Sequence, residues 1–317
     1  MSSVSDLPPV QGIYLQITFT ELFLNGIYTC LFFITVYAMI FKRELHKKKL
    51  GLFLALIGMY ILSTVHVACR WVLVKKAFID QDDTSVSTLL YLLQPPLWLA
   101  VIPAVVLTAN TLISDCVLIW RCWTVWNYDW KIVSVPLICT LAGAGLGFRS
   151  VAEQAAYIIN PNLDRSSFVD FATPYFGLSL ATTCLASFLI IVRIITMTEG
   201  ATRNSRGYGH IIEIVVESAA LYSVSLIVFL PFLVSGSFAD GYPEAVVAQM
   251  TGMAPTLIVA RVTFGLARPD ASWGGPTTSL IIGMSSRSQH PNSNIVFSND
   301  SIIPSDSATL KADDMQV

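Results

Sequence analysis

The sequence predicts an all-α membrane protein: a seven-transmembrane-helix bundle with its amino terminus outside and its carboxyl terminus cytoplasmic. Three observations predict it. Of the 317 residues, 54% are apolar and only 13% are charged, against roughly 25% charged in ordinary soluble domains. Seven stretches approach or exceed the ~20 mainly apolar residues that cross a bilayer as a helix. Lys and Arg concentrate in alternate connections between those stretches, as the positive-inside rule requires.

Residues 1–17 are polar, contain no Lys or Arg and lead straight into a full-length apolar stretch. They read as a short extracellular or lumenal segment, with the first span as an uncleaved signal anchor. The spans are expected at about 18–41, 50–74, 97–126, 131–152, 173–196, 210–234 and 245–267. Pro95-Pro96 fixes the start of the third. Pro103, Pro136, Pro231 and Pro255 lie inside spans and free carbonyls that need new partners. Residues 18–268 thus form the membrane domain. Residues 269–317 are rich in Ser, Thr, Asn and Pro and read as a disordered cytoplasmic tail.

Orientation follows from the basic residues. With the amino terminus outside, the cytoplasmic side holds Lys42, Arg43, Lys47, Lys48 and Lys49 in the first loop, then Arg121, Lys131, Arg193, Arg203 and Arg206. Arg261, Arg268, Arg287 and Lys311 lie at or beyond the last span. The outer side keeps Arg70, Lys75, Lys76, Arg149 and Arg165. The five cations of the first loop alone decide the direction.

Ionisable residues inside spans are costly and mark function or packing. Asp115 in the third span, Glu217 in the sixth and Arg261 in the seventh fall by residue counting at one level, roughly 9–14 Å from the cytoplasmic boundary. Mutual pairing is the cheapest way to bury them, so Arg261 is expected to meet Asp115, Glu217 or both. Glu213 shares a helix face with Glu217, four residues away. Arg121 and Arg261 are the cations that relieve their repulsion. This group serves as a packing device, a switch or an ion path. Towards the outside, His66 and Arg70 are four apart and with Asn25 and Asn110 outline a candidate outer cavity.

Gly143 and Gly147 form a G-x-x-x-G pattern for close helix contact, within the chain or in a homodimer. Arg149 and Glu153 read as a surface ion pair. The six cysteines lie in or beside spans with no zinc-binding spacing, so neither a disulfide framework nor a metal site is expected. No catalytic residues and no cofactor are predicted: there is no phosphate-binding glycine loop, no nucleophile elbow and no Lys in the last span to carry retinal. With net charge −2 there is no signal for nucleic acid.

Three blocks carry a resemblance. The third span ends Ser114-Asp115-Cys-Val-Leu-Ile-Trp120-Arg121-Cys122-Trp123-Thr-Val-Trp126. The sixth reads Ile214-Val-Val-Glu217-Ser218-Ala-Ala-Leu-Tyr222-Ser223. The seventh reads Gly252-Met-Ala-Pro255-Thr256-Leu-Ile-Val-Ala-Arg261-Val262. In this order they resemble a large family of seven-span membrane proteins of mushroom-forming (basidiomycete) fungi, over roughly residues 15 to 268. That family has no firmly established activity. Its architecture is similar to G-protein-coupled receptors, which implies a receptor role by analogy of fold. The chain lacks a D-R-Y at the end of the third span and an N-P-x-x-Y in the seventh, so no G protein is specified.

The expectation is a receptor-like sensor, not an enzyme, in the plasma membrane or an endomembrane. Its partners would be the lipid bilayer, an unknown small ligand and a cytoplasmic signalling partner. The alternatives are a transporter of a small solute or ion, and a structural membrane protein.

Overall fold

The computed structural model of the chain describes residues 7–41, 47–80, 84–160, 166–199, 205–236 and 238–264. Within them it is all helical, with no strand. The α-helices are α1 (Leu7–Phe41), α2 (Lys47–Lys75), α3 (Ser85–Leu93), α4 (Leu97–Val125), α5 (Trp130–Ile159), α6 (Ser166–Glu199), α7 (Ser205–Ser235) and α8 (Gly241–Phe264). Six of them, α1, α2 and α4 to α7, contain a stretch long and apolar enough to cross a membrane. The chain is accordingly a multi-pass integral membrane protein.

Side-chain contacts fix the relative directions of α4, α6 and α7, and of α1 and α8. Tyr175 donates to the Thr108 carbonyl and Trp126 to the Leu189 carbonyl, so α4 and α6 run in parallel. Phe176 meets Phe229 while Ser179 meets Tyr222, so α7 runs against α6. Tyr242 donates to Gln16 and Asn25 to Gln249, so α1 and α8 are parallel neighbours. Asn110 donates to Ser63, whose hydroxyl donates to the Ala248 carbonyl, which binds α2 between α4 and α8. The end where α1 and α8 begin is called the upper end below.

Most helices start beyond the predicted spans: α1 at Leu7 rather than Thr18, and α6 at Ser166 rather than Thr173. Hydropathy measures only what lipid would cover, whereas a helix continues as far as its backbone bonds and caps allow. The upper loop after α2 is also built. It holds a π-helical turn at Lys76–Asp80 and then α3, whose N-cap Thr84 forms a reciprocal capping box with Ser87. Gln11 of α1 donates to the Ser85 carbonyl at 2.7 Å and ties the two together. Residues 1–6 and the predicted tail, 269–317, lie outside the described residues.

The outer surface is apolar. Phe19, Phe23 and Phe33 of α1, Leu54 and Ile61 of α2, Ile138 and Leu141 of α5, Phe188 of α6 and Ile227 of α7 are all exposed. Inside, small polar residues are frequent. Thr35, Thr140, Thr251 and Thr256 are buried, and each hydroxyl donates to the carbonyl four residues back. A hydroxyl satisfied on its own helix can be buried cheaply.

Helix α8 differs from the rest. Among its described residues no large apolar side chain is exposed. It packs against α1, α2, α4 and α7, and its Gly252 lets the Tyr28 ring of α1 lie against the backbone. A helix surrounded by protein has no need of a lipid-compatible surface, which is why α8, alone among the long helices, has no described stretch apolar enough to count as a candidate span. Gly143 and Gly147 are spent inside the chain: both face Tyr175 of α6, and Gly147 also faces Thr108 of α4.

Candidate functional site

The polar chemistry lies along α8 and its neighbours at three levels. At the upper level Glu21 of α1 is fully buried. Its Oε1 lies 2.5 Å from Nδ1 of His66, and its Oε2 lies 2.7 Å from Nε of Arg70, both on α2. The Arg70 contact is a charge contact rather than an aligned hydrogen bond, because Oε2 lies off the N–H direction. Arg70 then reaches Glu244, in the first turn of α8, at 2.9 Å. One guanidinium therefore joins α1, α2 and α8. A buried carboxylate is tolerable only with such partners, since desolvating an ion costs several kcal/mol.

One to two turns lower, Asn25 donates to Gln249 and Asn110 to Ser63, both at 3.3 Å. A narrow crevice here is lined by Leu62, Ser63, His66, Val106, Leu107, Asn110 and Ala248. Of the four residues read as outlining an outer cavity, His66 and Asn110 line this crevice, and Arg70 and Asn25 do not. These residues pair with other helices: Arg70 with Glu21 and Glu244, and Asn25 with Gln249.

At the middle level Asp115 of α4 is buried and accepts from Ser179 of α6 at 3.0 Å. That hydroxyl is also 3.0 Å from the Tyr222 hydroxyl of α7. This chain of three groups links three helices without any cation.

At the lower level Arg261 of α8 forms an ion pair with Glu217 of α7, both partly exposed. The predicted single level of Asp115, Glu217 and Arg261 is thus split in two. Asp115 stands level with Tyr222, and Tyr222 is five residues from Glu217 on the same helix, about 7.5 Å at the α-helical rise. Counting inward from assumed span ends cannot resolve an offset of that size. Arg121 is half-buried and forms no ion pair with a described side chain. Glu213 lies on α7, but its side chain is outside the described residues.

Comparison with known proteins leaves this geometry to stand alone. No family model, no curated protein and no solved structure matches the chain.

Glu21 is the functional residue that sequence reasoning missed. It is an isolated carboxylate near the start of an apolar run, with Asn25 and Tyr28 at helical spacing behind it. The rule applied to His66 and Arg70, that an ionisable group in a span faces the interior, would have found it too. Glu244 falls one residue before the predicted seventh span, but α8 begins at Gly241 and carries it on its first turn. Among the described residues no cluster of His, Cys, Asp and Glu is arranged to hold a metal ion.

Proposed function

We propose that the chain is a receptor-like sensor with seven spans, α8 being the seventh, the upper end outside and the lower end cytoplasmic. The observation that carries this reading is that α8 holds a charged residue in each end turn, and each is paired to a different helix. Glu244 is bound by Arg70 of α2, and Arg261 by Glu217 of α7. A shift of α8 driven from the upper end would be felt at the lower pair. A ligand that favours one arrangement of these pairs would shift the population between two states. The composition of the first loop supports the orientation. The resemblance to the basidiomycete seven-span family agrees with it, and the role inferred is signalling rather than catalysis.

A second reading, transport of protons or a small cation, is favoured by the two buried carboxylates Glu21 and Asp115. Flux across vesicles containing the purified protein separates the two readings. A sensor gives none above protein-free vesicles, whereas a carrier gives flux that Glu21→Gln or Asp115→Asn abolishes.

Orientation has its own test. The sequon Asn299-Asp300-Ser301 lies in the tail. In a glycosylating host it should stay bare while a sequon added to an amino-terminal extension is modified. Glycan on Asn299 would place the carboxyl terminus outside and overturn the reading.

A further inference from the structure

We propose that the lower ends of α4, α5 and α6 form a binding site for the headgroup of an anionic phospholipid, with the Arg193 guanidinium as its main phosphate ligand. The site does not depend on which way the bundle faces in the membrane.

The arginines divide into two groups. Five have described side chains: Arg70, Arg121, Arg149, Arg193 and Arg261. Three of them are paired with carboxylates, Arg70 with Glu21 and Glu244, Arg149 with Glu153, and Arg261 with Glu217. Arg121 and Arg193 meet no carboxylate among the described residues, although both are partly buried. Both stand in the lower parts of their helices, Arg121 on α4 and Arg193 on α6. Lys131 adds an exposed cation at the start of α5. The described acid at this corner is Asp129, and its Oδ1 caps α5 by accepting from the Lys131 backbone N–H at 3.0 Å. Taking a cation out of water without an anion beside it costs free energy, so this end of the bundle is short of anions.

Arg193 is also held in place for one. Its guanidinium carbon lies 5.1 Å from the centre of the Trp126 ring. Nε1 of Trp126 donates to the Leu189 carbonyl at 3.1 Å, one turn before Arg193 on α6. The ring under the guanidinium is thus pinned to the helix that carries the guanidinium. Beneath them one apolar cluster joins the three helices: Ile119 and Cys122 of α4, Val133 of α5 and Ile190 of α6. Stacking fixes the plane of the guanidinium and spends none of its N–H donors. Nε is buried without a partner, so a ligand meets the terminal nitrogens. A planar fork of donors held in one orientation suits the oxygens of a phosphate.

The aromatic residues place that phosphate in a lipid. Trp120, Trp123, Trp126, Tyr128 and Trp130 fall within eleven residues across the α4–α5 turn. Trp120, Tyr128 and Trp130 are exposed. The Trp123 ring meets the rings of Tyr128 and Trp130, each at 4.8 Å between centroids. Trp and Tyr gather where the headgroups of a bilayer begin, and the abundant anion at that depth is the lipid phosphate. Three cations against one acid favour a headgroup of net negative charge over a zwitterionic one.

Native mass spectrometry of the full chain, titrated in detergent with single lipids, tests the site. Phosphatidylserine should bind about tenfold more tightly than phosphatidylcholine with the same acyl chains. Arg193→Gln should reduce that ratio about fivefold, the share of one basic residue at a charged headgroup. Arg193→Lys keeps the charge and loses the fork, and should fall between. Trp126→Leu frees the guanidinium and should lower the ratio with Arg193 still present, which keeps the test alive if Arg193→Gln fails to fold. Arg149→Gln, at the other end of the bundle, should leave the ratio unchanged. Equal binding of the two lipids, or a preference untouched by Arg193→Gln and Trp126→Leu, overturns the site and leaves these cations to an acidic protein partner. Glycerophosphoserine, the same headgroup without acyl chains, separates the two sources of phosphate. Lipid retained in its excess supports a lipid site, whereas displacement assigns the site to a soluble phosphate and overturns the lipid.

Discussion

Oε2 of Glu21 lies 2.7 Å from Nε of Arg70, with the carboxylate fully buried and the guanidinium nearly so. The two residues come from α1 and α2, and Arg70 carries the connection on to α8. Removing either one leaves the other with a single remaining partner, Arg70 with Glu244 or Glu21 with His66, so the cost of an uncompensated buried charge, about 3–5 kcal/mol, is the upper bound. Arg70→Met and Glu21→Leu should therefore each lower the melting temperature and the yield of folded protein sharply. The double variant should recover part of the loss, because an apolar pair replaces a desolvated ionic one. A double variant no better than the worse single one would show that the pair is not coupled.

Packing around Gly252 offers an independent check of the α1–α8 contact. A Cβ there would lie 2.6 Å from the Tyr28 hydroxyl and 2.8 Å from two ring carbons. Gly252→Ala should cost about 1–3 kcal/mol through overpacking. Gly145, also in a helix, has nothing within 4 Å of its virtual Cβ. Gly145→Ala should be neutral or stabilising by up to about 1 kcal/mol, since alanine favours the helix. Equal effects at the two positions would contradict the closeness of α1 and α8.

The middle level predicts tolerance of an amide. Asp115 accepts from Ser179, which also meets Tyr222. An asparagine oxygen can accept the same hydrogen bond, so Asp115→Asn should stay within about 1 kcal/mol, the scale of one ordinary hydrogen bond. Asp115→Ala removes the acceptor as well and should cost about 1–3 kcal/mol. Thermal denaturation in one detergent compares the two. If asparagine costs as much as alanine, the negative charge itself holds the three helices.

These contrasts show what the sequence could disclose. Six long apolar helices are legible from hydropathy, because lipid-facing residues such as Phe23, Ile138 and Phe188 dominate their surfaces. Helix α8 is legible only as a weaker apolar run, since its neighbours replace lipid around it. His66, Arg70, Glu217 and Arg261 announce themselves as charges in apolar surroundings. Which of them meet is a matter of register between helices, and hydropathy carries no register. The Asp115 level slipped by more than a turn for that reason. Glu21 obeys the same rule, and without it Arg70 reads as a side chain snorkelling outward rather than as the centre of a buried network.

The lower pair behaves differently from the upper one. Glu217 and Arg261 are both partly exposed, and an exposed ion pair adds little to stability. Glu217→Gln and Arg261→Gln should therefore leave the melting temperature almost unchanged, unlike Glu21→Leu. What they should alter is the resting separation of the lower ends of α7 and α8, measured between spin labels, since the pair draws those ends together. Charge exchange makes the test specific. Glu217→Arg alone places two cations together and should push the helices apart, as Arg261→Glu alone should with two acids. Combining both restores opposite charges with their positions swapped and should return the separation towards its starting value. Arg261 has further contacts, so recovery need not be complete, but the exchanged pair must be less displaced than either single variant, the sign of coupling between the two residues. If the exchanged pair is as displaced as either single variant, Glu217 does not position α8, and the lower end of the proposed relay has to be sought elsewhere.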